Sequence, residues 1–134
     1  MSDKLLRESA RLYYFPIVLG RGRSAFATCA KIFFSSGIIP TLCDTSFSLA
    51  AALFPFCKSV TLSKTDNPRL ICEQLSVLAS YEPYVLPILI PTNDKYRDAV
   101  MSECDFLERI FIIAGGQDIL ECKAVQDMFK IGSK

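Results

Sequence analysis

The chain contains no histidine. That absence removes Ser-His-Asp and Cys-His catalysis, histidine metal ligation and histidine-based pH switching from its repertoire. An excess of charge of either sign is missing too: 15 Lys and Arg stand against 14 Asp and Glu, a net +1. Such a balance argues against an electrostatic footprint for DNA, RNA or an anionic membrane. No Cys-x-x-Cys occurs, and the cysteine spacings fit no zinc-ligand pattern. No uncharged apolar stretch reaches the roughly 18 residues that a membrane span needs. The opening Met1-Ser2-Asp3-Lys4-Leu5-Leu6-Arg7-Glu8 is too charged for the apolar part of a signal peptide. Internal repeats, low-complexity tracts and interdomain linkers are also lacking. The expectation is a cytoplasmic chain.

What is present is a single domain's worth of apolar sequence. Hydrophobic residues make up 51% of 134, charged residues 22%, and the mean hydropathy is +0.30. This excludes intrinsic disorder. A chain of this length buries a core without help from disulfides or metal. The six cysteines, at 29, 43, 57, 72, 104 and 122, sit in apolar runs such as Ala27-Thr28-Cys29-Ala30. They read as buried thiols.

Two periodicities alternate along the chain. Residues 3–13 suit a short helix capped by Ser2, with Leu5, Leu6, Leu12 and Tyr13 on its apolar side. Phe15–Leu19 is an apolar run without alternation, as expected of a strand covered on both faces. Phe26, Cys29, Ala30 and Phe33 then fall at helical spacing up to Gly37. Ile38–Cys43 is a second strand, pairing only after Pro40, which lacks a donor. A short helix over 46–54, a strand Ser59–Leu62 and a helix opened by Asp66-Asn67-Pro68 and running to about Ser80 follow. Val85–Ile90 is the fourth strand, 94–101 a helix, Ile110–Ile113 the fifth strand and 118–129 a last helix. Strands separated by helices require crossovers, hence a parallel sheet with helices on both faces. Right-handed crossovers reduce the choices to a doubly wound α/β fold of five strands. The order 3-2-1-4-5 places the two most apolar strands at the centre and the short third strand at an edge.

In an open parallel sheet the ligand crevice lies beyond the carboxyl ends of the strands, where the order switches. Here that crevice falls between strands one and four. Its borders are Gly20-Arg21-Gly22-Arg23-Ser24 and Pro91-Thr92-Asn93-Asp94. Glycines let backbone approach a ligand, a helix N-terminus offers unpaired N–H groups, and Arg21 and Arg23 carry forks suited to carboxylate or phosphate. Gly20-x-Gly22-x-x-Ala25 with Asp44 further on also fits a dinucleotide fingerprint. Plainer roles fit as well. The glycines serve turn geometry, Asp44 caps the next helix, Thr92, Asn93 and Asp94 cap theirs, and the arginines are solvated surface charges. No catalytic constellation is visible: Ser24 has no histidine to activate it, and Asp94 and Asp98 are an ordinary pair on a helix surface.

At these loops the sequence resembles ATP-grasp ligases. Phe15-Pro16-Ile17-Val18-Leu19-Gly20-Arg21-Gly22, then a helix, then a strand ending Cys43-Asp44, is similar to the pre-ATP-grasp domain of the carboxylate–amine ligase-like and biotin carboxylase-like members. Ile90-Pro91-Thr92-Asn93-Asp94 looks like their Leu-Pro-Thr-x-Asp exit from strand four. Phe54-Pro55-Phe56-Cys57-Lys58-Ser59-Val60 and residues 110–130 are similar to later stretches of that domain. The resemblance implies an N-terminal domain that shapes the acceptor-substrate side of a ligase site. ATP, its magnesium ions and the acyl-phosphate chemistry would belong to a following ATP-grasp domain, absent from the sequence to Lys134, so the resemblance implies either a fragment of a longer ligase or a solitary relic of one. Arg23 is not a fixed feature of that family.

Three functions therefore stand at this point. One is a substrate-side domain of an ATP-grasp ligase-like protein, non-catalytic by itself, with the ATP-grasp domain as partner. The others are a small NAD(P)-binding domain, and a protein-interaction module that kept the fold without a ligand. A homodimer formed through an apolar surface is also expected. Its candidate patches are Leu5, Leu6 and Leu12, the segment Leu49–Phe56, and Met128 with Phe129. The isolated chain is expected to show no ATPase or ligase activity, since it lacks histidine, a P-loop lysine and a carboxylate cluster for magnesium-nucleotide. Magnesium-dependent ADP release by the purified chain, abolished by substituting one of its own residues, would overturn this.

Overall fold

A computed structural model describes residues 14–81 and 86–113. The expected helices at 3–13 and 118–129 lie outside the described residues, as does Val85. Five strands form one sheet in the order β3-β2-β1-β4-β5, every pair parallel. The strands are β1 (Tyr14–Leu19), β2 (Thr41–Asp44), β3 (Lys58–Thr61), β4 (Leu86–Pro91) and β5 (Ile112–Ile113). Between them run α1 (Gly22–Ser36), α2 (Leu49–Leu53), α3 (Pro68–Ser80), α4 (Asp94–Ser102) and the one-turn α5 (Cys104–Leu107). This is the doubly wound architecture expected from the alternation of periods.

Both central strands contain proline, and hydrogen-bond direction explains why they tolerate it. Gly20 N–H donates to Cys43 O (3.0 Å), whereas Leu19 O accepts from Thr92 N–H (2.9 Å). Alternate residues of a parallel strand address opposite neighbours, so even-numbered residues of β1 face β2 and odd-numbered ones face β4. Pro16 therefore turns its missing donor toward β2, one residue before that ladder begins at Ile17↔Thr41. The same reasoning turns Pro87 and Pro91 toward β5. Their described pairing there spans only Ile88↔Ile112 and Leu89↔Ile113, between the two prolines. Pro40 stands just before β2, and its carbonyl accepts from Lys58 N–H at 2.9 Å.

Local chemistry fixes the helix ends. Gly37, at φ 77°, closes α1 with its N–H on Phe33 O, a left-handed position that suits glycine. Ser36 Oγ donates to Ile32 O (2.6 Å) and accepts from Ile38 N–H (3.2 Å). Asn67 caps α3, with Pro68 in the first turn. Asn93 caps α4 by accepting from Tyr96 N–H at 2.9 Å. The cap of α2 is Ser48, which accepts from Ala51 N–H at 3.2 Å; Asp44 does not cap it. Several boundaries also differ from expectation; β3, for one, runs Lys58–Thr61 rather than 59–62. Ile110 belongs to a turn after α5 rather than to β5, because Ile110 and Phe111 N–H both return to Leu107 O. The short helix starts at Leu49 rather than 46.

The sheet divides the core in two. Val18, Leu42, Ile88 and Ile90 pack with Ala25, Cys29 and Ile32 of α1 and Ala51 of α2. Ile17, Leu19, Cys43 and Leu89 pack with Ile71, Cys72 and Leu75 of α3, Tyr96 and Val100 of α4, and Leu107. Alternate residues of each central strand feed opposite clusters, as the period of two demands.

Burial predicts which substitutions matter. Leu75→Ala, at a fully buried position, is expected to cost about 2–5 kcal/mol through lost contacts and a cavity. Leu53→Ala, at an exposed one, should stay within about 0.5 kcal/mol. Urea unfolding of both variants measures the contrast, and equal losses would contradict the assignment of the core.

Candidate functional site

The carboxyl ends of β1, β2 and β4 bring the anticipated loops together. Thr92 is the junction. Its N–H and its Oγ1 both donate to Leu19 O, at 2.9 and 2.8 Å. This draws the β4–α4 loop against Gly20 so closely that a Cβ there would stand 2.0 Å from Thr92 Oγ1. Gly20 also has φ +146°, a conformation that side chains rarely adopt. Position 20 is thus glycine for a structural reason that involves no ligand. Gly22 has φ +80° with open space around its Cα, so it serves the turn into α1. Ser24 Oγ lies 3.5 Å from Thr92 O, a second stitch between the two loops.

Asp44 ends β2 and sits on the far side of β1 from α4, yet Tyr96 reaches it. The Tyr96 hydroxyl donates to Asp44 Oδ1 at 2.5 Å and accepts from Thr45 N–H at 3.1 Å. Thr45 N–H also points at Asp44 Oδ1, at 2.8 Å. The other carboxylate oxygen, Oδ2, is buried and accepts no hydrogen bond. Its nearest cation is Arg21, whose Nε is 3.9 Å away and whose side chain is largely exposed. An ion pair with one partner in water contributes little. Tyr96 was not foreseen as a site residue. The available signal was its place three residues after the Asn93 cap, at the start of the inward stripe Tyr96, Ala99, Val100.

The remaining candidates spread outward. Arg23 is exposed on α1. Asn93 is engaged as a cap. Asp94 occupies the first turn of α4 and pairs with Arg97 at 3.2 Å. The cleft bordered by Gly20, Arg21, Asp44, Ser46 and Ser48 encloses about 10 Å³, room for about one water. Small-molecule sites commonly take about 300–1,000 Å³. The polar resources at its mouth are nevertheless real. The α1 N-terminus has no capping side chain and no acid in its first turn, so its N–H groups, with Arg21, would favour an anion. Asp44 Oδ2 would accept from a hydroxyl or amine.

Three of the buried thiols are held in their protonated form. Burial pushes the Cys29 and Cys43 thiols up to about 12 and Cys72 to about 11, away from the reactive thiolate. The described residues include no cluster of three Cys, Asp or Glu able to hold a metal ion. They therefore do not fit the magnesium-nucleotide that an ATP-grasp ligase uses. Comparison of the chain with protein-family models, curated proteins and solved structures gives no match.

Burial, and then the bond to Asp44, raises the Tyr96 hydroxyl to about 12. An acid whose pKa is higher in the folded chain holds its proton more tightly when folded. Its stabilisation is present below the unfolded value of about 10 and is lost as pH climbs toward 12. Tyr96→Phe keeps the ring but strips Asp44 of one donor, and is expected to cost about 1–3 kcal/mol at neutral pH. The variant should also lose less stability between neutral and strongly alkaline pH than the parent chain. Denaturant midpoints across that range test both statements; an unchanged alkaline loss would refute the role given to the hydroxyl.

Proposed function

We propose that this chain is an interaction module: an α/β domain, non-catalytic by itself, that works through its outer surface and keeps no ligand in its crevice. The observation that carries this reading is the stitching of the crevice by Thr92 against Gly20 and Leu19. Leu19 O and one oxygen of Asp44, which a ligand could otherwise meet, are satisfied within the chain. The dinucleotide reading fares worst under that geometry. Gly20 is committed to Thr92, and the Asp44 oxygen that faces Tyr96 is already an acceptor twice over.

A second reading keeps the resemblance to ATP-grasp ligases, with this chain as the substrate-side domain and ATP and magnesium supplied elsewhere. It is favoured by one observation, the unpaired buried Oδ2 of Asp44 beside Arg21. Under that reading, Asp44 and Arg21 would hold the charged ends of an acceptor substrate once the loops part.

Calorimetric titration separates these readings. NAD, NADP and magnesium-ATP are each expected to give no binding heat up to millimolar concentration. Micromolar affinity for NAD that disappears in Asp44→Ala would overturn the interaction reading in favour of a nucleotide site. Binding of a small amino or carboxylic acid, lost in both Asp44→Ala and Arg21→Ala, would instead favour the ligase-like reading.

A further inference from the structure

The outer edge of β3 is open, and the bonds on its inner side fix which groups it presents. Lys58 N–H donates to Pro40 O (2.9 Å) and Leu62 N–H to Asp44 O (2.7 Å). Even-numbered residues of β3 therefore address β2, and odd-numbered ones address the edge. Ser59 and Thr61 turn their N–H and C=O away from the sheet, and among the described residues nothing bonds to those groups. The next outward residue, Ser63, is taken. Its N–H donates to Gln74 Oε1 (2.6 Å), and its carbonyl accepts from Gln74 Nε2 (3.4 Å). A carboxamide of α3 thus stands where the peptide group of an adjoining strand would be, and it ends the open stretch. An unpaired edge is a template for another strand.

The helix beside that edge carries an apolar stripe. Leu70, Gln74, Val77 and Tyr81 recur at i, i+4, i+7 and i+11, along one side of α3. The contact of Gln74 with Ser63 places that side against the β3 edge. Leu70 is 46% exposed, Val77 55% and Tyr81 75%, the last more than any other large apolar side chain among the described residues. As the crossover between two parallel strands, α3 runs back along the sheet against the direction of β3. From Gln74 to Tyr81 the helix descends about 10 Å. From Ser63 to Val60 the strand also descends about 10 Å. Tyr81 therefore stands level with Val60, midway between the two open residues.

We infer that β3 pairs with β3 of a second copy, antiparallel across a two-fold axis at Val60, so that the two sheets become one. Such an axis sets Ser59 opposite the partner's Thr61, and Thr61 opposite the partner's Ser59. Each pair exchanges two N–H···O bonds, which satisfies every open group of both residues in both copies. The ladder ends where Gln74 already occupies Ser63. On one face the serine and threonine hydroxyls meet across the pair. On the other, which Val60 shares with α3, Val60 meets its own equivalent and the two Tyr81 rings flank the axis. Lys58 falls opposite the partner's Leu62, so like charges are not opposed there. A free peptide is the poorer occupant, because it would be ordered for only two open residues. A second copy brings a strand already formed, and a second α3 stripe with it. This inference rests on the reading that the chain works through its outer surface, and it names the surface and the partner.

Sedimentation of the full chain from about 1 μM to about 1 mM tests it, and a monomer–dimer equilibrium is expected within that range. In the dimer, the Ser59 and Thr61 amides should exchange with deuterium several-fold more slowly than after dilution to monomer. Thr61→Pro removes an outward donor from each copy and takes no bond from the β2 ladder. Tyr81→Glu sets like charges beside the axis. Each variant is expected to raise the dimer Kd at least about tenfold. Circular dichroism melts check that both fold, and the amide measurement on the parent chain decides the matter where a variant does not. Leu49→Glu, on the exposed side of α2, should leave the dimer unchanged. A strict monomer over the whole range overturns the inference and leaves the edge to a strand of another protein. It is equally overturned by a dimer that Leu49→Glu dissolves and Tyr81→Glu does not, or by edge amides that exchange alike in monomer and dimer. Tight nucleotide binding in the crevice with the dimer intact would remove the reading of the crevice and leave the strand pairing standing. A strict monomer with an empty crevice would do the reverse.

Discussion

The Leu19 carbonyl is the point on which the top of the sheet depends. It ends the most buried strand, and Thr92 satisfies it twice, through backbone and hydroxyl. A buried carbonyl without a partner is costly, so the β4–α4 loop is held against β1 rather than left free to part from it. The required closeness makes glycine obligatory at position 20. With Gly20 in place, α1 departs to one face of the sheet while α4 departs to the other. The gap that this divergence leaves in related architectures is closed here by Thr92 and Ser24. One hydrogen-bond acceptor thus determines a residue choice and a loop position.

Proline placement extends the same logic through the sheet. Pro16, Pro87 and Pro91 lie in central strands, where a missing donor usually breaks the ladder. Each points its missing donor to the side where the described ladder has not begun or has ended. The donors aimed at the β1–β4 interface stay intact, and that pairing runs the whole length from Tyr14↔Leu86 to Leu19↔Pro91. Register and proline position are therefore one constraint. A shift of one residue would turn each proline toward a neighbour that needs its N–H, and would also move Ile17 and Leu19 to the wrong core.

Much of this was legible in the sequence, because the signals were local. Pro40 announced that β2 begins at Thr41, Gly37 announced the end of α1, and Asn67 and Asn93 announced their helices. The strand order followed from which runs were most apolar and which was shortest. What stayed hidden depended on distance in space. Asp44 looked like a cap for the next helix, but Ser48 takes that role. The carboxylate turns instead to Tyr96, 52 residues away. A hydroxyl at the inward start of a helix announces burial, but not the partner across a neighbouring strand. The one-turn α5 escaped for a different reason: four residues carry too little periodicity to register.

Asp44 shows how the strands around the switch in order are held together. Taking a carboxylate oxygen out of water without a hydrogen-bond donor is unfavourable, yet Oδ2 is in that position. The other oxygen collects a tyrosine hydroxyl and a backbone N–H, bonds strengthened by the carboxylate's charge. Together they fasten the end of β2 to α4 across β1, joining the two sides of the switch in strand order.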